Sequence, residues 1–416
     1  MQHHETIRDH PDYRAIALLS ALYVAQGLPF GVQATALPVL LRQAGVSLAD
    51  IGLAGVLALP WMLKALWAPW VDRHGARRHW ITGTQCTLAI ISAGTAWAIG
   101  PADVDLVVLG VGILLLNFAA ATQDIAVDGL AVAILGQNGL GLGNAAQVVG
   151  YKVGMIIGGG VLVWASQAIG WRGVFLAMAG LYLAVLLATL SGVRAAEHRR
   201  PRPSTTSIAE VLALLRAALS VPGTPTVLAV IGCYKLGETI VTAMFKPFLV
   251  DAGFGAAQIG MWVGTWGMLA SLLGSVGGGV LVQAIGSRKA LIILAWLRCL
   301  AMVGEVLVAV GPPNASGVIA ATCLEHAFGG ALTTALFAWM MARVNARIGA
   351  SHYTLLASVE VLGKLPAAWG SGLIAQTCGY LGTFCIGLGL SAVYAWALPR
   401  LLHKADGANS AQRAVG

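Results

Sequence analysis

The chain has 416 residues, of which 58% are hydrophobic and only 10% charged, and its formal net charge is +8. That excludes an ordinary soluble domain, in which about a quarter of residues are charged. The basic excess sits in the polar connections between apolar stretches, so it reads as a topological signal and argues against a nucleic-acid-binding surface.

Apolar stretches of bilayer length recur about twelve times, near 14–41, 50–71, 80–100, 104–135, 143–166, 171–191, 223–250, 256–283, 289–310, 315–342, 350–376 and 380–401. They carry a helical period with Gly and Ala throughout, which favours a helical bundle over an alternating outer-membrane barrel. The polar N-terminus MQHHETIRDHPDYR precedes an apolar run far longer than a signal-peptide core, so it is expected to be retained. Placing it in the cytoplasm leaves only Arg42 and Arg172 on outer segments, which predicts that both termini are cytoplasmic. The six cysteines lie in apolar segments without close metal-type pairs and read as packing residues, with no metal site and no disulfide framework.

The first helix, with Tyr23, Gln26 and Gln33 among apolar residues and with Pro29 and Pro38, should be kinked or locally opened. Freed backbone beside a cavity would serve a transported substrate, while a packing kink is the plainer reading. The second helix carries Lys64 within ALPWMLKALWAPW, where snorkelling would account for the charge and Trp61, Trp67 and Trp70 would form part of an interfacial belt. A short basic turn follows, with Asp72, Arg73, Gly75, Arg77 and Arg78; its arginines would serve as a plain positive-inside anchor, but the turn resembles the loop signature of the major facilitator superfamily, which implies a cytoplasmic gate. After the eighth helix the equivalent turn, AIGSRKA, keeps the glycine and the basic pair but no acid.

The fourth helix places two carboxylates four residues apart, Asp124 and Asp128, on one face of the segment NFAAATQDIAVDGL, with Gln123 beside them. A carboxylate near the bilayer midplane costs about 2.5–3.5 kcal/mol, so it faces a polar cavity, pairs with a cation, carries protons or sits at the wet end of its helix. The stretch GQNGLGLGNAAQ, 136–147, has no preceding strand and no Gly-Lys-Ser/Thr, so no nucleotide is expected and a cytoplasmic hinge is. Lys152 then enters the fifth helix and is the favoured partner of Asp124 or Asp128.

Four units are expected: an N-terminal bundle over 1–193, a linker with a surface helix over 194–222, a C-terminal bundle over 223–402 and a cytoplasmic tail over 403–416. AGVSLADIG, 44–52, returns as AGFGAAQIG, 252–260, at the entry to the second helix of each half, as a duplication would produce. The fold class is therefore an all-α integral membrane protein of two six-helix bundles. In the second half Lys235 and Glu238 should flank a central cavity, because the seventh helix is the counterpart of the first. Arg298, Glu325 and His326 follow, the histidine as a proton site or a satisfied core residue. Glu360 and Lys364, four apart, can neutralise each other. Six acids and six bases submerged in all is the balance that paired burial predicts.

TQDIAVDG (122–129), QGLPFG (26–31) and LPWMLKALWAPWVDRHGARR (59–78) resemble the peptide/acetyl-coenzyme A/drug transporter branch of the major facilitator superfamily. That branch includes AmpG-type muropeptide permeases, acetyl-coenzyme A transporters and RhtX/FptX-type siderophore importers, and the opening segment and chain length look most like the importers. The resemblance implies proton-coupled import of a siderophore, as its ferric complex, across a bacterial inner membrane by alternating access. The partners are then the siderophore, protons and the lipid bilayer, with no cofactor and no nucleotide. The alternative within carriers is an AmpG-like muropeptide or other anionic-metabolite permease. A membrane enzyme built on Asp124 and Asp128 would lack the usual histidine or nucleophile beside them.

Overall fold

The computed structural model describes residues 13–74, 76–97, 99–100, 105–198, 223–343 and 349–415, with side chains omitted at 65, 69, 72–73, 132–133, 135–145, 196–198, 349–354 and 406–415. The residues expected to form the linker's surface helix lie outside this range from 199 to 222, as does Gly75 of the basic turn. Among the described residues the regular structure is helical. In chain order α1 is Tyr13–Gln43, α2 residues 48–73, α3 Arg77–Trp97, α4 Leu106–Ala131, α5 residues 146–169 and α6 residues 171–198. The second half repeats the count with α7 Thr224–Asp251, α8 Ala256–Ile285, α9 Ser287–Val310, α10 Ala315–Met341, α11 residues 349–378 and α12 residues 380–415. Helix α6 runs on to His198, past the boundary expected at 193, and the expected tail continues α12 as helix to Val415.

Two apolar stretches, Ala146–Ala195 and Leu355–Ala405, are 50 and 51 residues long, more than twice what a bilayer needs. Each is turned back by one glycine with positive φ, Gly170 at 68° and Gly379 at 69°, a conformation open to glycine and costly with a Cβ. Between α4 and α5 the chain also reverses. Gln147 Nε2 donates to Asp128 Oδ1 at 3.2 Å, whereas a straight helix would hold those residues about 28 Å apart.

The duplication suggested by the sequence echo is carried in hydrogen bonds. Helix α1 ends with Val46 N–H donating to Leu41 C=O and Gly45 N–H to Arg42 C=O, and α7 ends with Phe254 to Leu249 and Gly253 to Val250. Both are glycine-terminated caps of the Schellman type. Beyond each cap the indole or phenol that opens the sixth helix of its half reaches back. Trp171 Nε1 donates to Gln43 Oε1 at 3.2 Å, and Tyr380 OH to Asp251 Oδ2 at 2.5 Å.

The expected opening of α1 is a wide turn at Val32–Ala36, just after Pro29. Similar wide turns occupy Ile157–Val161 of α5 and Gly260–Gly267 of α8. All three lie where glycines let helices touch backbone to backbone. Gly27 and Gly31 of α1 meet Gly154 and Gly159 of α5, and Gly159 and Gly160 meet Gly260 and Gly264 of α8. A Cβ at Gly264 would strike the Gly159 backbone, so the sequence spacing GxxxG sets the approach.

These contacts create an asymmetry between the two ends of the molecule. At the end bearing the α1–α2 and α7–α8 turns, which we call the seam end, residues of both halves join one apolar core that includes Leu40, Ile51, Ile113, Phe175, Phe245, Ile259 and Phe384. At the opposite, linker end the described cores are two. One lies in the first half around Leu22, Ile81 and Val127, and the other in the second half around Ile231, Leu294 and Trp339. Helices α2 and α11 show the same divergence, since Gly52 packs on Gly372 at the seam end while contact thins past Leu63.

Candidate functional site

Below the seam the first half presents a small polar pocket. Pairing with Asp124 of α4 holds Lys64 of α2, so the lysine expected to snorkel is an ion-pair partner, with its side chain 34% exposed against 6% for the acid. One turn along, Asp128 has neutral donors on two other helices. Tyr23 OH of α1 donates to its Oδ1 at 2.9 Å and Gln147 of α5 at 3.2 Å. Arg77, at the start of α3, lies across Gly129, where a Cβ would meet the guanidinium group, so the glycine closing TQDIAVDG makes room for a basic residue of the gate turn. Asp72 and Arg73 fall among the undescribed side chains, and Arg78 donates from Nε to His79 at 3.4 Å.

The tryptophans expected at the interface divide. Trp61 Nε1 donates to Asn117 Oδ1 at 2.9 Å and Trp67 Nε1 to Thr122 at 3.2 Å, while Trp70 remains 55% exposed. Asn117 also donates to Gln33 Oε1 at 2.7 Å and to Leu57 O at 2.8 Å, which locks α1, α2 and α4 together. Gln26 and Gln123 are fully buried, and among the described residues neither amide atom of either has a hydrogen-bond partner. Cys86, Cys233, Cys378 and Cys385 are exposed, contrary to their reading as packing residues, and the six thiols are free.

The second half holds a larger network. Arg298 of α9, almost fully buried, pairs with Glu325 of α10 and with Glu238 of α7 at 3.2 Å. Glu238 also pairs with Lys235 at 3.3 Å, and His326 Nδ1 lies against Glu325. Lys364 and Glu360 of α11 pair at 2.5 Å, as the four-residue spacing anticipated, and Tyr234 OH donates to Glu360. Lys246 donates to Thr242 O at 3.2 Å within the fields of Glu305 and Glu325. Helix α7 breaks at Tyr234 and Lys235, which is how both side chains reach α11 and Glu238.

Lys152 does not meet Asp124 or Asp128. The short link between α4 and α5 suggested a pair, but the lysine side chain crosses to the other half and donates to Ser271 O at 3.1 Å, Ser271 Oγ at 3.0 Å and Ser275 Oγ at 2.9 Å. It thus bridges α5 and α8 just below the glycine contact.

At the seam end one charge pair ties the halves. Arg42 donates from Nε to Asp251 Oδ1 at 2.6 Å and from Nη2 to Oδ2 at 2.7 Å, a bidentate pair between the ends of α1 and α7. Sequence reasoning passed over it because its members are 209 residues apart and sit at helix ends, where charge needs no explanation.

Known proteins agree with this architecture. Residues 15–168 match the family model described as acetyl-coenzyme A transporter 1. The chain is 29% identical over 371 residues to the anhydromuropeptide permease of Escherichia coli (strain K12), covering 88% of this chain and 75% of the relative. It is 26% identical over 387 residues to putative transporter AmpG 4 of Rickettsia felis, covering 90% and 92%. Among solved structures, nucleoside transporter NupG superposes with a TM-score of 0.71 at 15% identity over 93% of this chain and 99% of that one. The POT family transporter PepTSo gives 0.72 at 10% identity over 94% and 98%. The fold is that of the major facilitator transporters. This chain is a multi-pass membrane transporter, and it resembles the AmpG-type permeases. The structural likenesses, at such identities, speak for the fold alone. The two relatives named here are a permease and a putative transporter.

Proposed function

We propose that this transporter is a proton-coupled permease of the bacterial inner membrane, with both termini cytoplasmic, that imports an anhydromuropeptide or a close sugar-peptide by alternating access. One observation carries the reading. The halves share an apolar core at the seam end and separate cores at the linker end, with the submerged charges between. A carrier needs such a hinge, since rocking about a midplane site exposes it to one side at a time. The permease relatives favour this substrate over the siderophore that the opening segment and chain length suggested.

Asp128 is the group to which we assign the proton. A carboxylate held by a phenol and an amide can gain a proton without leaving a buried cation alone, and Asp124 already has Lys64. Glu325 is pinned by Arg298 and His326 and serves better as a fixed strut. Arg42 and Asp251 close the seam, and substrate reaches the site from that side only when they part.

The experiment is uptake of labelled anhydromuropeptide into energised right-side-out vesicles from cells lacking other permeases. Uptake that stops when the proton gradient is collapsed supports the reading. Uptake indifferent to the gradient removes the coupling, and none at all removes the substrate.

A further inference from the structure

The six submerged acids and six bases balance in number but not in place. The second half holds four of each: Glu238, Glu305, Glu325 and Glu360 against Lys235, Lys246, Arg298 and Lys364. In the first half, among the described residues, Asp124 pairs with Lys64 while Asp128 is held by the neutral donors Tyr23 and Gln147. One negative charge is therefore in surplus on α4, and one positive charge, Lys152, is in surplus at the junction of α5 and α8. Among the described residues the other five cations lie in the field of a carboxylate, whereas Lys152 meets three neutral oxygens. Ser275 spends its own proton on Ser271 O at 2.8 Å, which leaves its oxygen to accept from the lysine. Lys235 stands near enough to repel Lys152, and Glu238, with which Lys235 pairs, is shared with Arg298.

A partly buried ammonium held by hydroxyl and carbonyl oxygens beside a second cation is stabilised far more by an anion than by those dipoles. We infer that Lys152, with Lys235 opposite and the Ser271 and Ser275 hydroxyls, forms a carboxylate subsite of the transport path. The serines hold the lysine while the site is empty, and an arriving carboxylate displaces them. This rests on the permease reading above and names its missing chemistry: the substrate must carry a carboxylate, and the charge it brings answers the surplus on Lys152 as a proton answers that on Asp128. Because the serines belong to the opposite half, exchanging them for substrate also loosens one bridge between the halves.

The test is equilibrium binding to the purified full chain in lipid nanodiscs, with an anhydromuropeptide and the same molecule with its carboxylates converted to amides. The wild type binds the acid about tenfold or more better than the amide, the scale of one charge-assisted hydrogen-bonded pair. Lys152→Gln loses that preference while amide binding stays within about twofold, Lys152→Arg keeps most of it, and the double variant S271A/S275A binds the acid as well as the wild type or better. A Lys152→Gln protein that loses acid and amide alike, or a wild type that does not separate them, overturns the subsite. N-acetylated tripeptide acid and amide pairs keep the two readings apart. Separation of those pairs without anhydromuropeptide binding sinks the substrate and keeps the subsite, and no separation in any pair sinks the subsite.

Discussion

The polar groups of the two halves solve the same problem differently. In the second half six of the eight submerged charges stand in ion pairs, Lys235, Glu238, Arg298 and Glu325 in one chain across α7, α9 and α10 and Glu360 with Lys364 on α11, while Lys246 and Glu305 lie in the field of these charges. Among the described residues of the first half, one submerged ion pair stands beside a carboxylate held by a phenol and an amide. A dense network is rigid because moving one member strands another in low dielectric. A sparse pocket can change its charge at small cost. The comparison teaches that submerged charge by itself does not mark the moving part, and that the moving part is where charge is incompletely matched.

The largest expected effect lies in the network. Arg298→Ala strands Glu238 and Glu325 together, and removing one partner of a buried pair costs about 3–5 kcal/mol. The expected outcome is a protein that fails to reach a monodisperse peak in detergent chromatography. Should Arg298→Ala fold and transport normally, the network is not the rigid element described here.

Asp128→Asn comes next and inverts the pattern, since thermal stability stays within about 1 kcal/mol because an amide still accepts from Tyr23 and Gln147. Accumulation against a gradient is abolished while equilibrative exchange survives. Loss of both together would class Asp128 with the structural charges. Asp124→Asn leaves Lys64 with its side chain 34% exposed, free to swing its ammonium along the helix toward a polar end, so the melting temperature falls only slightly. If it falls as far as that of Arg298→Ala, the pocket is as rigid as the network.

The smallest effect is at the seam. Arg42→Ala removes a part-exposed pair worth about 1 kcal/mol or less, so folding is unchanged. A maleimide directed at a cysteine placed at Val46 then reacts a few-fold faster, since the closed seam is populated less. Unchanged reactivity would mean that glycine packing alone holds the seam.

Much of this was legible in the chain. The spans, the paired halves and the local pairs such as Glu360 with Lys364 follow from hydropathy and helical spacing, which are short-range properties. The α1 and α7 caps fall on the repeated Ala-Gly of the echo, 44–45 and 252–253, which the sequence alone showed only as a repeat. What escaped were partners distant in sequence. Lys64 and Asp124 are 60 residues apart and Lys152 and Ser275 123 apart, and the order of helices around a bundle is set by packing that no single helix encodes. The glycines were visible as composition, but their pairing across α1, α5 and α8 needed three segments at once. The reading of Lys152 as a partner of α4 failed for that reason, because adjacency in sequence stood in for adjacency in space.

The central claim is that the two halves close at the seam end while parting at the linker end, and that transport exchanges these states. Spin labels at Val46 and Phe254 report the seam, and labels at Trp80 and Lys289 report the linker end, in a cysteine-free protein that still transports. Distances measured by pulsed electron resonance should change in opposite senses between empty protein and protein with anhydromuropeptide at acidic pH, the seam pair lengthening as the linker pair shortens. Two distances that stay fixed through the cycle, or that lengthen together, would contradict the account.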